Sequence, residues 1–371
     1  MSSRVADEMP RLSFGTILLR ILCVLLVTVL LVAVLLYSAM FVVCKGPSET
    51  ARNLGVRTAR ETSAMYWLPN LFLTDEEIAA IEKTQEITVE ETDTSLVSVK
   101  AEPKPAEGHY TDEWGYTDDD DDGIILVNVP GQTYTGYMMI VLDPSRVVLG
   151  CNTATIGGRG YTVAEYISMF DAVAGINGGG FDDPNGKGNG GMPDSAIVSD
   201  GVIYCAGKGI GPGFVGIDTN DILHVGFTSL EELTERNIRD GCGYGPILVS
   251  NGKAVDDSML VSGLNPRTAI GQRTDGAILL LVIDGRQPNS LGATYADEAE
   301  IMLRFGAVNA MNLDGGSSSL MWFQGKYINN NASVIGIRPI PTSFVVLKEG
   351  VRGWDPIGKN PVSERVLSSI F

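Results

Sequence analysis

From Ile21 to Cys44 the chain runs for 24 residues without a charged side chain, and most of them are apolar. About 20 apolar residues cross a bilayer as a helix. The run therefore predicts one transmembrane segment, and the rest of the chain must lie on one side of it or the other. A cleaved signal peptide competes with this reading, but its apolar region spans only about 7–15 residues, so an uncleaved anchor over 21–44 is favoured. Arg4, Arg11 and Arg20 precede the segment while Lys45, Arg52, Arg57 and Arg60 follow it; positive charge alone does not orient it. The short tail, residues 1–20, is placed in the cytoplasm and the body outside the membrane.

Residues 45–122 hold 19 acidic against 7 basic side chains, a local balance of -12. Few large apolar residues follow Leu73, which predicts an acidic stalk rather than a core. Thr74-Asp75-Glu76-Glu77 fits a capping box opening a short helix through Lys83. Asp118 to Asp122 form a run of five aspartates. Their spacing matches no EF-hand loop, so a solvated, self-repelling segment is the favoured reading over a calcium site.

Composition changes after residue 122. Ile124–Val129 and Tyr137–Leu142 are β-rich runs separated by Pro130-Gly131, a hairpin pattern. Thr162 and Glu165 make a second capping box for a helix ending near Phe170, followed by the apolar run 172–176. Further strands are expected at 196–198, 214–217, 247–249, 268–270, 277–283 and 343–347, with a helix over 295–305. Strands outnumber helices and several lie a turn apart, so the expected class is α+β, with mixed or antiparallel sheets and a few packed helices. The body occupies 123–350, and 351–371 is a C-terminal tail.

The chain carries 44 glycines and a net charge of -18. The glycines suit many tight turns, and the charge argues against nucleic acid as a partner. Five scattered cysteines and two histidines offer neither a disulfide framework nor a zinc site of the usual kind. Chemistry gathers instead at four polar clusters beside apolar strands. Asn177-Gly178-Gly179-Gly180-Phe181-Asp182 follows the 172–176 run, where glycines let the backbone approach a ligand. Asn265-Pro266-Arg267-Thr268 places a guanidinium, able to grip phosphate bidentately, at a strand start. Asp284-Gly285-Arg286 ends the 277–283 strand. Asn312-Leu313-Asp314-Gly315-Gly316-Ser317-Ser318-Ser319 surrounds a carboxylate with amide, glycine and hydroxyl groups that can tune it. No G-x-S-x-G elbow is present, so the serines read as ligand contacts or caps.

In order and wording these clusters resemble the phosphodiester glycosidase family. The segments that carry the resemblance are INGGGF (176–181), NPRTAIG (265–271), DGR (284–286), GAVNAMNLDGGSSSLM (306–321) and RPIPTSFVV (338–346). It covers roughly residues 124–348, and exported relatives support a body outside the membrane. The resemblance implies hydrolysis of a sugar-1-phosphodiester of the N-acetylhexosamine type; placement outside the membrane favours an envelope glycan or exopolysaccharide as substrate, and no cofactor is expected, although Ca²⁺ or Mg²⁺ stays open. Asn177, Arg267, Asp284, Arg286 and Asp314 match the family's motif positions. Asp284 and Asp314 are then the catalytic candidates. Asn177, Gly178, Arg267, Thr268, Arg286, Asn312, Gly315, Gly316, Ser317 and Ser318 are the substrate- or phosphate-binding ones. Asp297 and Arg338 are secondary, and Ser317 departs from the third glycine that many relatives carry. Two other classes compete: a non-catalytic glycan-binding or assembly protein, with Trp322 and Phe323 beside the site, and a metal-dependent phosphodiesterase.

Overall fold

The computed structural model describes residues 13–84, 89–99, 109–184, 188–211, 213–333 and 336–354. The first twelve residues of the tail and the C-terminal tail beyond residue 354 lie outside them. The class is α+β, with six α-helices and antiparallel sheets. The helices are α1 (Phe14–Lys45), α2 (Glu49–Arg60), α3 (Asp75–Glu82), α4 (Val163–Met169), α5 (Glu231–Glu235) and α6 (Tyr295–Arg304).

The largest sheet has seven strands, ordered Lys253–Ala254, Ile247–Ser250, Ala307–Asn312, Arg267–Arg273, Ile278–Ile283, Thr135–Val141 and Ile124–Pro130. Its central strand shows why periodicity there is hidden. Ile278, Leu280 and Val282 face the other sheets, while Leu279, Leu281 and Ile283 join Ala299, Met302 and Phe305 of α6. Buried on both faces, the strand reads as a continuous apolar run rather than an alternating one. A five-stranded sheet packs on the first face, in the order Lys326–Tyr327, Met321–Phe323, Ala172–Asn177, Thr342–Leu347 and Val147–Cys151. The third sheet, also five-stranded, runs Leu223–His224, Phe214–Asp218, Ile238–Gly243, Ile197–Ser199 and Val202–Tyr204.

The strand Ile238–Gly243 was not expected, because its sequence, IRDGCG, carries two charges. Arg239 is fully buried there and is neutralised by Asp240 and by Asp221, the latter at 3.0 Å. Burial of a charge demands such pairing. Both expected capping boxes form, Thr74 with Glu77 and Thr162 with Glu165.

Where acidic composition predicts a stalk, the chain folds onto the body. Ser48 caps α2 by accepting from Ala51 N–H, and Cys44, Val56, Leu73, Ile78 and Ile81 form a small core of their own. Phe72 packs against Tyr37 and Phe41 of α1, with ring centroids 4.9 and 6.2 Å away. The far end of α2 meets the body: Leu264 N–H donates to Thr58 Oγ1 at 2.9 Å and Gly263 N–H to Glu61 Oε1 at 2.6 Å. Apolar packing and hydrogen bonds to the body hold this segment in place, which a charge count does not reveal.

Candidate functional site

The expected clusters converge where the seven-stranded sheet meets the Met321–Phe323/Ala172–Asn177 sheet. Register brings them together. Arg267 pairs with Ile283 and Ala269 with Asn312, so the 267, 284 and 314 corners share one sheet end. Ser343 pairs with Asn177, which brings in the second sheet. Asn177 ties the corner: its Nδ2 donates to Asp314 O at 2.6 Å, while its Oδ1 accepts from Thr268 Oγ1 at 2.9 Å and Leu320 N–H at 3.1 Å. Gly178 lies so close to Thr342 that a Cβ there would sit 2.5 Å from Thr342 Oγ1. Asn177, Gly178, Thr268 and Asn312 therefore build the wall from behind; none is a surface of the cavity.

That cavity has a volume of about 300 Å³. Glu61, Ser63, Phe181, Asp183, Asp194, Tyr244, Asn265, Arg267, Arg286, Tyr295, Arg338 and the loop 314–318 line it. Expected residues that reach it are Arg267, Arg286, Asp314, Gly315, Gly316, Ser317, Ser318 and Arg338. Gly316 has φ +60°, and a Cβ on it would sit 3.2 Å from an Arg286 guanidinium nitrogen. Only glycine combines that backbone with that proximity.

Asp314 is the chemically distinctive group. Burial pushes its pKa up to about 7, opposed by the Ser318 hydroxyl, Arg338 and the Gly315 N–H. Its Oδ2 is shielded and has no hydrogen-bond partner among the described residues. A carboxylate in this state exchanges a proton near neutrality.

The cations differ in how far they are engaged. Arg338 is clamped by Asp183 through bonds of 2.6 and 2.7 Å. Arg267 stacks over Tyr295 at 4.1 Å and donates to Ala293 O at 3.0 Å, Gly263 O at 2.7 Å and Glu61 Oε2 at 2.8 Å. Arg286 donates to Asn265 Oδ1 and to Glu61 O. Among the described residues it makes no ion pair with a carboxylate.

Two expectations are corrected. Asp284 does not face the cavity. It is 2% exposed, and its carboxylate accepts from Asn329 Nδ2 at 3.1 Å, Asn330 N–H at 2.9 Å and Asn330 Nδ2 at 3.4 Å. It moors the 329–330 loop. Asp297 completes the capping box of α6, accepting from Thr294 N–H at 2.7 Å. The sequence signal, Thr-x-x-Asp before a helix, was available.

Glu61, Asp183, Asp194 and Tyr244 were missed. Asp183 and Tyr244 flank a glycine-rich cluster and a cis-proline turn respectively, but nothing local marks Glu61 or Asp194. Trp322 and Phe323 lie in a strand beside the loop and do not line the cavity.

Comparison with known proteins points to one family. Residues 170–347 match the family model described as phosphodiester glycosidase. That stretch, just under half of the chain, is similar to the family. A mouse N-acetylglucosamine-1-phosphodiester alpha-N-acetylglucosaminidase is 26% identical over 219 residues, covering 53% of this chain and 41% of that protein. An uncharacterised SPbeta prophage-derived protein of Bacillus subtilis, YomE, is 40% identical over 102 residues, 26% of this chain and 16% of its own length. The chain thus spans well under half of the curated relatives it matches. The fold resembles the zebrafish N-acetylglucosamine-1-phosphodiester alpha-N-acetylglucosaminidase catalytic domain, whose structure is described as auto-inhibited by its pro-peptide. The TM-score is 0.51 at 21% identity, over 61% of this chain and 82% of that one.

Proposed function

We propose that this protein is a membrane-anchored hydrolase that cleaves a sugar-1-phosphodiester of an envelope glycan on the C–O side. The observation that carries the reading is the pairing of Asp314, half-ionised near pH 7, with the Arg286 guanidinium across one polar cavity. Cleavage develops positive charge on the sugar and leaves a phosphate monoester. Asp314 serves the first need, as base toward water or as nucleophile at the anomeric carbon. Arg286, with Arg267 behind it, serves the second by holding the anionic leaving group. Asp194, which also lines the cavity, replaces Asp284 as the second carboxylate.

The electron pair of the broken bond stays on the phosphate oxygen, and the oxygen of water ends on the sugar. Hydrolysis in ¹⁸O-water of a UDP-linked N-acetylhexosamine tests this directly: label on the sugar hydroxyl is expected, and label on phosphate would overturn the assignment in favour of a phosphodiesterase. No turnover of UDP-linked or nitrophenyl N-acetylhexosamines would favour a glycan-binding protein.

Glu61 adds control. Its carboxylate accepts from Arg267 and its main-chain oxygen from Arg286, beside the guanidinium groups that would hold a phosphate. We read it as a stand-in for substrate that must yield before phosphate can engage Arg267. Anchoring rests on α1, 32 residues long with apolar side chains exposed along its length. Phe72 packs on Tyr37 and Phe41 of that helix, and a few residues before it Tyr66 and Trp67 are aromatic and exposed. Such residues favour the membrane–water boundary.

A further inference from the structure

The aspartate run 118–122 is not a uniformly solvated acidic stretch. Asp118, Asp120 and Asp122 each bring one carboxylate oxygen to within 4.8 Å of the others. Asp121 leaves this group, with φ +55°, and meets His109 Nδ1 at 3.2 Å. Asp118 is 3% exposed. Its Oδ2 accepts from Gly123 N–H at 2.9 Å, but Oδ1 is buried without a hydrogen-bond partner among the described residues. A buried carboxylate oxygen with no donor is costly, and two further carboxylates at this range add repulsion.

The neighbouring donors and the nearby Arg146 guanidinium offset this only in part. Gln324 Nε2 reaches Asp120 Oδ2 at 2.9 Å, and Ile124 N–H reaches Asp122 Oδ1 at 2.8 Å. Arg146 Nη1 donates to the main-chain oxygen of Asp122 at 2.7 Å, and its Nε to Leu347 O at 3.0 Å. What remains is a set of hard oxygen atoms around a space with an unmet demand for positive charge. Thiolate and imidazole ligands are absent from the group, which disfavours zinc.

We propose that Asp118, Asp120 and Asp122 bind a calcium ion. Although the run matches no complete EF-hand loop, residues 118–123 do follow Asp-x-Asp-x-Asp-Gly, its first six positions, which revises the expectation of a merely solvated segment. The twelfth position is Val129, so the bidentate glutamate of a full loop is missing, and affinity belongs at the weak, roughly 10⁻⁴–10⁻³ M end of calcium sites. Mg²⁺ demands a tighter octahedron and surrenders its waters reluctantly, so a flexible loop of carboxylates favours the larger ion. None of these residues lines the cavity. The ion fastens the segment before Ile124 to the turn that carries Gln324, joining the edges of two sheets.

The test uses the full chain in detergent, freed of metal with EDTA, followed by thermal unfolding and calorimetric titration with CaCl₂ or MgCl₂ alone. Several millimolar Ca²⁺ is expected to raise Tm by roughly 5 °C. Asp120→Asn, on an exposed side chain with one hydrogen bond, should unfold like the unaltered protein in EDTA and lose more than half of the calcium shift. Absence of any calcium shift, a shift kept by Asp120→Asn, or an equal response to Mg²⁺ would overturn the proposal.

Discussion

Asp284 and Asp314 stand in nearly the same local sequence, an Asp-Gly step at the end of a buried strand, yet the fold gives them opposite roles. Each oxygen of Asp284 accepts a hydrogen bond from the 329–330 loop. Asp314 keeps one oxygen without a partner, and its pKa rises to about 7. Satisfied carboxylates hold structure, whereas an unsatisfied one beside a cavity is available for chemistry. Two strand ends that look alike in sequence are separated by counting donors.

The sharpest way to break this contrast is to neutralise each acid in turn. Asp314→Asn should lower turnover of a UDP-linked N-acetylhexosamine by roughly 10²–10⁴-fold, the usual contribution of a positioned acid–base group. Asp284→Asn should instead keep near-normal activity per folded molecule and cost about 1–3 kcal/mol in denaturant unfolding. Equal catalytic losses would erase the distinction. A smaller effect is expected at the cation: Arg286→Ala should raise KM for phosphate-bearing substrates roughly tenfold and leave neutral nitrophenyl glycosides little changed. Glu61→Gln, which keeps the shape and removes the charge facing Arg267, should improve kcat/KM for the same substrates about fivefold; a fall would count against the stand-in.

The gentlest probe is pH. In the folded protein the proton on Asp314 is held up to about 7, whereas an unfolded aspartate releases it near 3.8. The folded state therefore binds the extra proton, and stability falls as pH rises between those values. Asp314→Asn should raise Tm little at pH 4 and progressively more toward pH 8. A gain independent of pH would mean that Asp314 is not perturbed.

Much of the scaffold was legible because its signals are local. The runs 172–176 and 277–283, the helix 295–305 and both capping boxes emerged within a residue or two of their expected bounds. Ile238–Gly243 was hidden because its charges are paired only through tertiary contacts with Asp221 and Asp240. The site divides in the same way. The glycine-flanked corners at 177 and 314 were found because backbone close approach requires glycine, and Arg267 because a guanidinium at a strand start can grip phosphate. Glu61 was not, because its importance comes from Arg267, which lies over two hundred residues away. Asn177 was found for a reason that needed refinement: its amide bonds other loops and does not touch the cavity.

The distance along the chain from Lys45, the last residue of α1, to Glu61 on the cavity rim is sixteen residues. Twelve of them form α2, about 18 Å of helix. Because α2 also packs on the end of α1 through Cys44 and Val56, an α1 that spans a bilayer, as proposed, would hold the cavity on a short lead close to the lipid headgroups. A hydrolase of the proposed kind, so held, would be confined to glycans whose phosphate linkages come down to the membrane face, and a polymer that stays farther out would be beyond its reach.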